Sequence, residues 1–384
     1  MNVLMGRFPF PQNQRLPGLI YPTAAEPDDA RRAFLRFREE IVTADGARGF
    51  LRTRRPDTPD GVVDSTVSEG IAYGMMIAVA FDDQPLFDGF WQYALAFLNE
   101  AGFMSWYIAP DGSKALGSGG ATDSDEDMAW ALVMAHRQWG GRGSLSETYL
   151  SHAQRQIDRL WRYEVDHDRF EGMLLPGDEW RGQNVFNPSY FAPSEYRLFG
   201  EVSGNREGWQ LVVDRGYDIV FRSLNEASGN AQNGLVPAWC DAAGAPVEAF
   251  PGAMTNYQTD SARLPFRLGQ DFAYHGEERA RRYLSQVSSF FAGIGANHIG
   301  DGYHLNGAPY PDPRTPQPNP GSAVFVGCAA VGAQHDARYQ EFVDQAYDRV
   351  KTGKLLARSR YYNHCWTVLS LLMLTGNLRD FPDP

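Results

Sequence analysis

Cysteine is scarce in this chain: Cys240, Cys328 and Cys365 are the only three in 384 residues. An odd, scattered set builds no disulfide framework, and no pair has the spacing of a metal site. The eight histidines show no metal-like spacing either. No apolar run approaches the roughly 18 residues of a transmembrane helix. The first residues, Met-Asn-Val-Leu-Met-Gly-Arg, lack the basic then apolar order of a signal peptide. Positive charge is also short, with 35 Lys and Arg against 47 Asp and Glu and a net charge of −12. Nucleic acid demands the opposite balance, whereas a neutral or cationic ligand suits this one. The templates H-E-x-x-H, Walker A, G-x-S-x-G and C-x-x-C are all absent. Period-two alternation, the mark of a half-buried strand, is rare.

What the chain has in plenty is aromatic rings and apolar helical pattern. It holds 9 Trp, 18 Tyr and 23 Phe, many of them beside Gly, Pro, Asn or Asp rather than inside apolar runs. A core explains most such rings, and an excess in loops suggests platforms for flat ligands or sugar rings. Residues 1–26 are Pro-rich and aperiodic and read as an extended arm on the domain. Helical pattern then recurs near 27–42, 67–82, 84–98, 123–138, 146–163, 190–202, 206–226, 259–274, 276–292, 321–333, 337–350 and 361–375. These helices alternate with long loops at 99–122, 164–189, 227–258 and 293–320, which a compact domain keeps for function. The paired rhythm predicts a toroid of helical hairpins, all in a single domain from residue 27 to 384.

Glu69 stands out within Asp64-Ser-Thr-Val-Ser-Glu69-Gly-Ile-Ala-Tyr73-Gly-Met75. It opens a helix that is otherwise almost purely apolar. Two readings fit. Thr66 to Glu69 matches the T-x-x-E capping box, in which Glu69 only satisfies backbone N–H groups. A lone acid at the mouth of an apolar helix can instead be held protonated, as a leaving glycosidic oxygen requires.

Two further acidic segments stand out. Ala121-Thr-Asp123-Ser-Asp125-Glu-Asp127 begins another helix. It is not a calcium loop, because Met128 and Met134 occupy the positions that need Gly and Glu. Four acids in five residues exceed the needs of a cap, so one is expected to face a cleft. In Asp260-Ser-Ala-Arg263, Asp260 either caps the next helix with an i,i+3 ion pair or is a base kept ionised by Arg263. Trp106, Trp180, Tyr190, Tyr361 and Tyr362 are candidate ring platforms, although each alone is more often core.

Together these segments resemble glycoside hydrolase family 8. The matches are Ser68-Glu69-Gly70-Ile-Ala-Tyr73-Gly74-Met75, Ala121-Thr122-Asp123-Ser124-Asp125, the loop Asn187-Pro-Ser-Tyr190-Phe-Ala-Pro193, Asp260 to Arg263, and the closing stretch Tyr361 to Asn377. They run in family order over nearly the whole chain. The resemblance implies an all-α (α/α)6 barrel and an inverting, endo-acting hydrolase of β-1,4-glucan. Endo-xylanase or chitosanase is the alternative within the family. It implies Glu69 as general acid, Asp260 as base and Asp123 as partner of the distorted sugar. Tyr190 and Arg263 would orient sugar and water, Trp106 and Trp180 would stack on rings, and Tyr73, Tyr361 and Tyr362 would join the substrate-binding set. No metal, cofactor, nucleic acid or membrane is implied. A monomer is expected, secreted or periplasmic, with its signal peptide already removed. Two positions depart from the pattern: Thr259 stands where cellulase-type members often have Tyr, and Ser124 where Gly or Ala is usual. A non-catalytic carbohydrate-binding toroid would have no use for Glu69, Asp123 and Asp260 together.

Overall fold

A computed structural model of the chain describes residues 6–58, 61–310, 319, 321–356 and 359–383. Twelve α-helices appear among them: α1 (Pro27–Glu40), α2 (Ser68–Ala80), α3 (Gln84–Leu95), α4 (Thr122–Trp139), α5 (Tyr149–Arg159), α6 (Pro193–Ser203), α7 (Arg206–Ser223), α8 (Leu264–His275), α9 (Glu278–Ile294), α10 (Ala323–Ala333), α11 (Gln340–Lys351) and α12 (Arg360–Leu374). Even-numbered helices form an inner ring, each packed on the next, and α12 closes it against α2. Odd-numbered helices pack outside: α3 on α2, α5 on α4, α7 on α6, α9 on α8, α11 on α10 and α1 on α12. The architecture is the (α/α)6 barrel expected from the sequence. Among the described residues, no helix is long and apolar enough to cross a membrane.

The pattern of side chains assigns each helix to its ring. The inner helices α2 and α10 are apolar on every side, and a helix apolar all round must be enclosed. The outer helices α1, α5, α9 and α11 are amphipathic and bury one face. Two glycines of the first motif let α2 be approached closely. A Cβ at Gly70 would lie 2.4 Å from Thr53 Oγ1, and one at Gly74 would lie 2.7 Å from the ring of Phe90 on α3. The three cysteines are free and buried.

Strands are short and few, as expected. β1 (Val42–Thr43) pairs antiparallel with β2 (Arg52–Thr53). β3 (Thr66–Val67), β4 (Tyr107–Ile108) and β5 (Ala115–Gly117) form a small antiparallel sheet in the order β3-β4-β5. This sheet ties the start of α2 to the 99–122 loop: Ser68 N–H donates to Trp106 O at 3.0 Å.

The ring has two distinct ends. Residues 6–26 cross the C-terminal ends of four inner helices. Arg7 N–H donates to Gln138 O at the end of α4, Gln14 N–H to Gly376 O beyond α12, and Ile20 N–H to Gln334 O beyond α10. Gly6 N–H donates to the Asp82 carboxylate beyond α2. Residues 1–5 of the arm lie outside the described residues. The opposite end gathers the N-termini of the inner helices and the long loops, and it is open. Helix N-termini carry partial positive charge, so this mouth favours carboxylates.

Candidate active site

At the open end lies a groove of about 680 Å³. Glu69, Asp123 and Asp260 sit at its floor, and Trp106, Tyr107, Trp180, Tyr190, Trp239 and Phe250 at its walls. A smaller cavity of about 170 Å³ adjoins it and shares Arg55, Glu69, Asp260 and Tyr361. Thr259, Ser322, Tyr362 and Asn363 are among the residues that line that side. Residues 311–318 and 320 of the 293–320 loop lie outside the described residues.

Glu69 is the one residue of α2 whose side chain is not buried; it keeps 23% exposure. The helix buries everything around it, and so the carboxyl faces the cleft from an apolar support. Burial pushes its pKa up from 4.5 to about 8, the nearby Asp123 charge adds to the rise, and Arg263 opposes it. The capping reading fails. Thr66 Oγ1 donates to Thr53 O at 2.8 Å and accepts from Arg52, and the cap position of α2, Val67, makes no side-chain cap. Tyr73 OH approaches Glu69 Oε1 at 3.5 Å and Tyr361 OH approaches Oε2 at 3.3 Å.

One guanidinium gathers all three acids. Arg263 Nη1 donates to Glu69 Oε1 at 2.6 Å and to Asp123 Oδ2, and Nη2 donates to Asp260 Oδ1 at 3.2 Å. Two carboxylates on one planar guanidinium have their nearest oxygens within about 8 Å of each other, which bounds the Glu69–Asp260 separation. Asp260 makes no helix cap. Its Oδ2 accepts from Gln258 Nε2, and its side chain keeps 31% exposure. Asp123 is 1% exposed and also accepts the Ser124 N–H at 3.0 Å.

Two of the expected sugar contacts need correction. Arg263 is fully buried and spends its donors on the three carboxylates, Tyr73 OH, Ser189 Oγ and Asp260 O. Tyr73 is 1% exposed, enclosed by Trp366 and Tyr362. Both lie behind the groove wall, because a residue one turn along a fully enclosed helix, or under its neighbours' first turns, has no path to the cleft. They orient the carboxyls instead. Trp106 (44% exposed), Trp180, Tyr190 and Tyr361 do line the groove, and Tyr362 lines the smaller cavity.

The acidic run on α4 divides as expected: Asp123 faces the cleft, and its neighbours are enclosed. Arg267, one turn after Arg263, pairs with Asp127 at 3.0 Å and Glu126 at 3.2 Å, and donates to Asp123 O at 3.4 Å. Burial raises the carboxyls of Asp125, Glu126, Asp127, Glu164 and Glu195. Glu126, Asp127 and Glu195 surround Arg267, while Asp125 and Glu164 lie against each other beside them; holding a proton is how such enclosed carboxyls avoid the cost of buried charge. Ser124 has a structural reason as well, since its hydroxyl meets Ser68 Oγ at 2.6 Å and joins the first turns of α2 and α4. Among the described residues no group of His, Cys, Asp or Glu is arranged to hold a metal ion.

An arginine-bridged set of carboxyls under an aromatic groove, on the N-termini of an (α/α)6 ring, is a glycosidase geometry. The sequence matches the profile of glycosyl hydrolases family 8 over residues 9–376. The chain belongs to glycosyl hydrolase family 8. It is 35% identical over 383 residues to Endoglucanase 2 of Ruminiclostridium josui, covering 97% of this chain and 77% of that one. It is 33% identical over 353 residues to Endoglucanase A of Acetivibrio thermocellus, covering 91% and 68%. In fold it superposes on the β-1,3-1,4-glucanase of Paenibacillus sp.X4 with a TM-score of 0.84 at 24% identity, covering 96% and 98%. This family 8 chain also carries wall residues that its motifs do not announce: Arg55, Tyr107, Trp239 and Phe250. Arg55, Trp239 and Phe250 lie in loops and Tyr107 in the two-residue strand β4, none with a periodic pattern, and only their aromatic or charged character could have flagged them.

Proposed function

We propose that this family 8 hydrolase is an endo-acting β-1,4-glucanase that inverts the anomeric centre. Glu69 is the general acid. Its raised pKa keeps a proton on the carboxyl at neutral pH, and that proton passes to the leaving glycosidic oxygen. Asp260 is the base: ion-paired with Arg263, it takes a proton from the water that attacks the anomeric carbon from the opposite face. Glu69 ends the step as a carboxylate and Asp260 as an acid, and exchange with solvent resets both. Asp123, held by Arg263 and the Ser124 N–H, hydrogen-bonds the distorted sugar and opposes the positive charge that develops on its ring. The roughly 8 Å bound between the acid and base oxygens admits the separation of roughly 6.5–9.5 Å that leaves room for a water.

The observation that carries this reading is the convergence of Glu69, Asp123 and Asp260 on one buried arginine at the floor of an aromatic groove. Similarity to two proteins named endoglucanases supports glucan over other polymers. A relative at 25% identity, the reducing-end xylose-releasing exo-oligoxylanase of Paenibacillus barcinonensis, keeps xylan as the second substrate to test. A polymer too large to enter a cell sets the place of action outside the cytoplasm. Reducing-sugar release from carboxymethylcellulose, lichenan, xylan and chitosan identifies the substrate, and NMR of the first anomer formed identifies the stereochemistry. Release from carboxymethylcellulose and lichenan with an inverted product is expected. Activity confined to xylan or chitosan, or a retained anomer, would overturn the reading.

A further inference from the structure

Among the described residues, two aromatic side chains stay exposed, Trp106 at 44% and Phe250 at 51%, and both line the groove. Trp106 is already a candidate ring platform from the sequence. Phe250 is not. It lies in the 227–258 loop and joins neither apolar cluster of the core. Its ring meets the edge of Trp239, with centroids 6.0 Å apart and planes at 77°. Trp239 is 7% exposed, stacks on Trp180 at 5.7 Å and 13°, and meets Tyr190 at 6.0 Å. Tyr190 in turn lies under the Arg263 guanidinium at 5.2 Å. A line of ring contacts thus runs outward from Arg263, through Tyr190 and Trp239, to Phe250 at the solvent.

The backbone holds Phe250 in this exposed place. Phe250-Pro251-Gly252-Ala253 is a type II turn: Ala253 N–H donates to Phe250 O at 2.8 Å, Pro251 takes the second position, and Gly252 has φ +84°. A side chain other than hydrogen at residue 252 would strain this turn. Glu248 accepts the Gly252 N–H, and Val247 N–H donates to Trp239 O at 3.1 Å, so the segment leading into the turn is tied to Trp239. A flat apolar ring on a hydrogen-bonded Pro-Gly turn, lining a groove, has less freedom to lose when a ligand covers it than one on an open loop.

We infer that Phe250 is an outer sugar-stacking position, beyond Tyr190 and Trp180, that selects longer glucan chains over shorter ones. The inference rests on reading the groove as the polysaccharide site. The test compares kcat/KM on cellotriose, cellotetraose, cellopentaose and cellohexaose for the wild type, Phe250→Ala, Phe250→Leu and Phe250→Trp. In Phe250→Ala the long-to-short ratio of kcat/KM should fall about tenfold, the size of one aromatic face lost from binding. Phe250→Trp should restore the ratio, and Phe250→Leu, apolar but not flat, should not. An unchanged ratio in Phe250→Ala would overturn the proposal, and so would an equal loss at every length, which marks a structural role through Trp239. If the wild type cleaves only xylo- or chito-oligosaccharides, the glucan reading fails and the same ratio on that series decides Phe250. No turnover on any series would sink both.

Discussion

Arg263 Nη1 stands 2.6 Å from Glu69 Oε1 although 194 residues separate the two. The same side chain holds Asp123 and Asp260, and none of it reaches solvent. Lysine carries the charge as a point and cannot span three carboxylates at once. Arg263→Lys should therefore fold but lose about 10²-fold in kcat, since misplacing reacting groups by an ångström costs that much. Arg263→Ala leaves the buried carboxylates without their cation and should cost about 3–5 kcal/mol in urea unfolding. An active Arg263→Lys enzyme would show that the bridge is dispensable.

Glu69→Gln keeps the shape of the side chain and removes the transferable proton. Turnover should drop about 10²- to 10⁴-fold. Because Glu69 caps nothing, the substitution should bring no loss of stability. Steady-state kinetics beside a thermal melt separate the two effects. Near-normal turnover in the variant would remove Glu69 from the acid role.

The raised pKa of Glu69 sets the direction of the pH response. The acid is protonated below about pH 8 and ionised above it, so activity should fall on the alkaline side through that value. Stability follows the same sign. The folded state binds this proton more tightly than the unfolded chain, whose carboxyl titrates near 4.5. The contribution is complete below pH 4.5 and is lost as pH rises to about 8. The stability difference between wild type and Glu69→Gln, measured by urea unfolding from pH 4 to 9, should change over that window and level off beyond it.

Trp106 presents an exposed face, stacked on Tyr107 with centroids 5.0 Å apart. Trp106→Ala should raise KM for oligosaccharides about tenfold. Its effect on stability should be about 0.5 kcal/mol, the range of surface substitutions, rather than the 3–5 kcal/mol of a core tryptophan. Calorimetric titration and unfolding on the same variant check both figures. A large stability loss with unaltered binding would return Trp106 to the core.

The helices were legible because enclosure and amphipathicity leave a direct mark on sequence. All twelve lie where apolar pattern put them, and the errors sit at the ends. The helix expected from residue 190 starts at Pro193, since Pro188–Tyr190 is a 3-10 turn and proline suits the first helical position. The helix expected from 259 starts at Leu264, after a 3-10 turn at Ser261–Arg263. The helix expected over 146–163 ends as α-helix at Arg159 and continues as a π-turn to Glu164. The motifs placed Glu69, Asp123 and Asp260, but they could not show which way Tyr73 and Arg263 point. A helix buried on all sides has no polar stripe to give its orientation away. Nor could sequence pair Asp127 with Arg267, 140 residues on, because only the closed ring makes their helices neighbours.

Ring closure has a consequence for how this enzyme comes into being. Glu69 opens α2, Asp123 opens α4 and Asp260 precedes α8, so no contiguous piece of the chain holds the set. The Arg263 bridge spans 194 residues to Glu69 and 140 to Asp123. Individual hairpins such as α2 with α3 need only local contacts, and local contacts form early. The bridge can form only once the inner ring brings α2, α4 and α8 to one mouth. During refolding, helical circular dichroism therefore reports the hairpins, while the return of turnover reports the last long-range joining, and the interval between the two signals times the closure of the barrel.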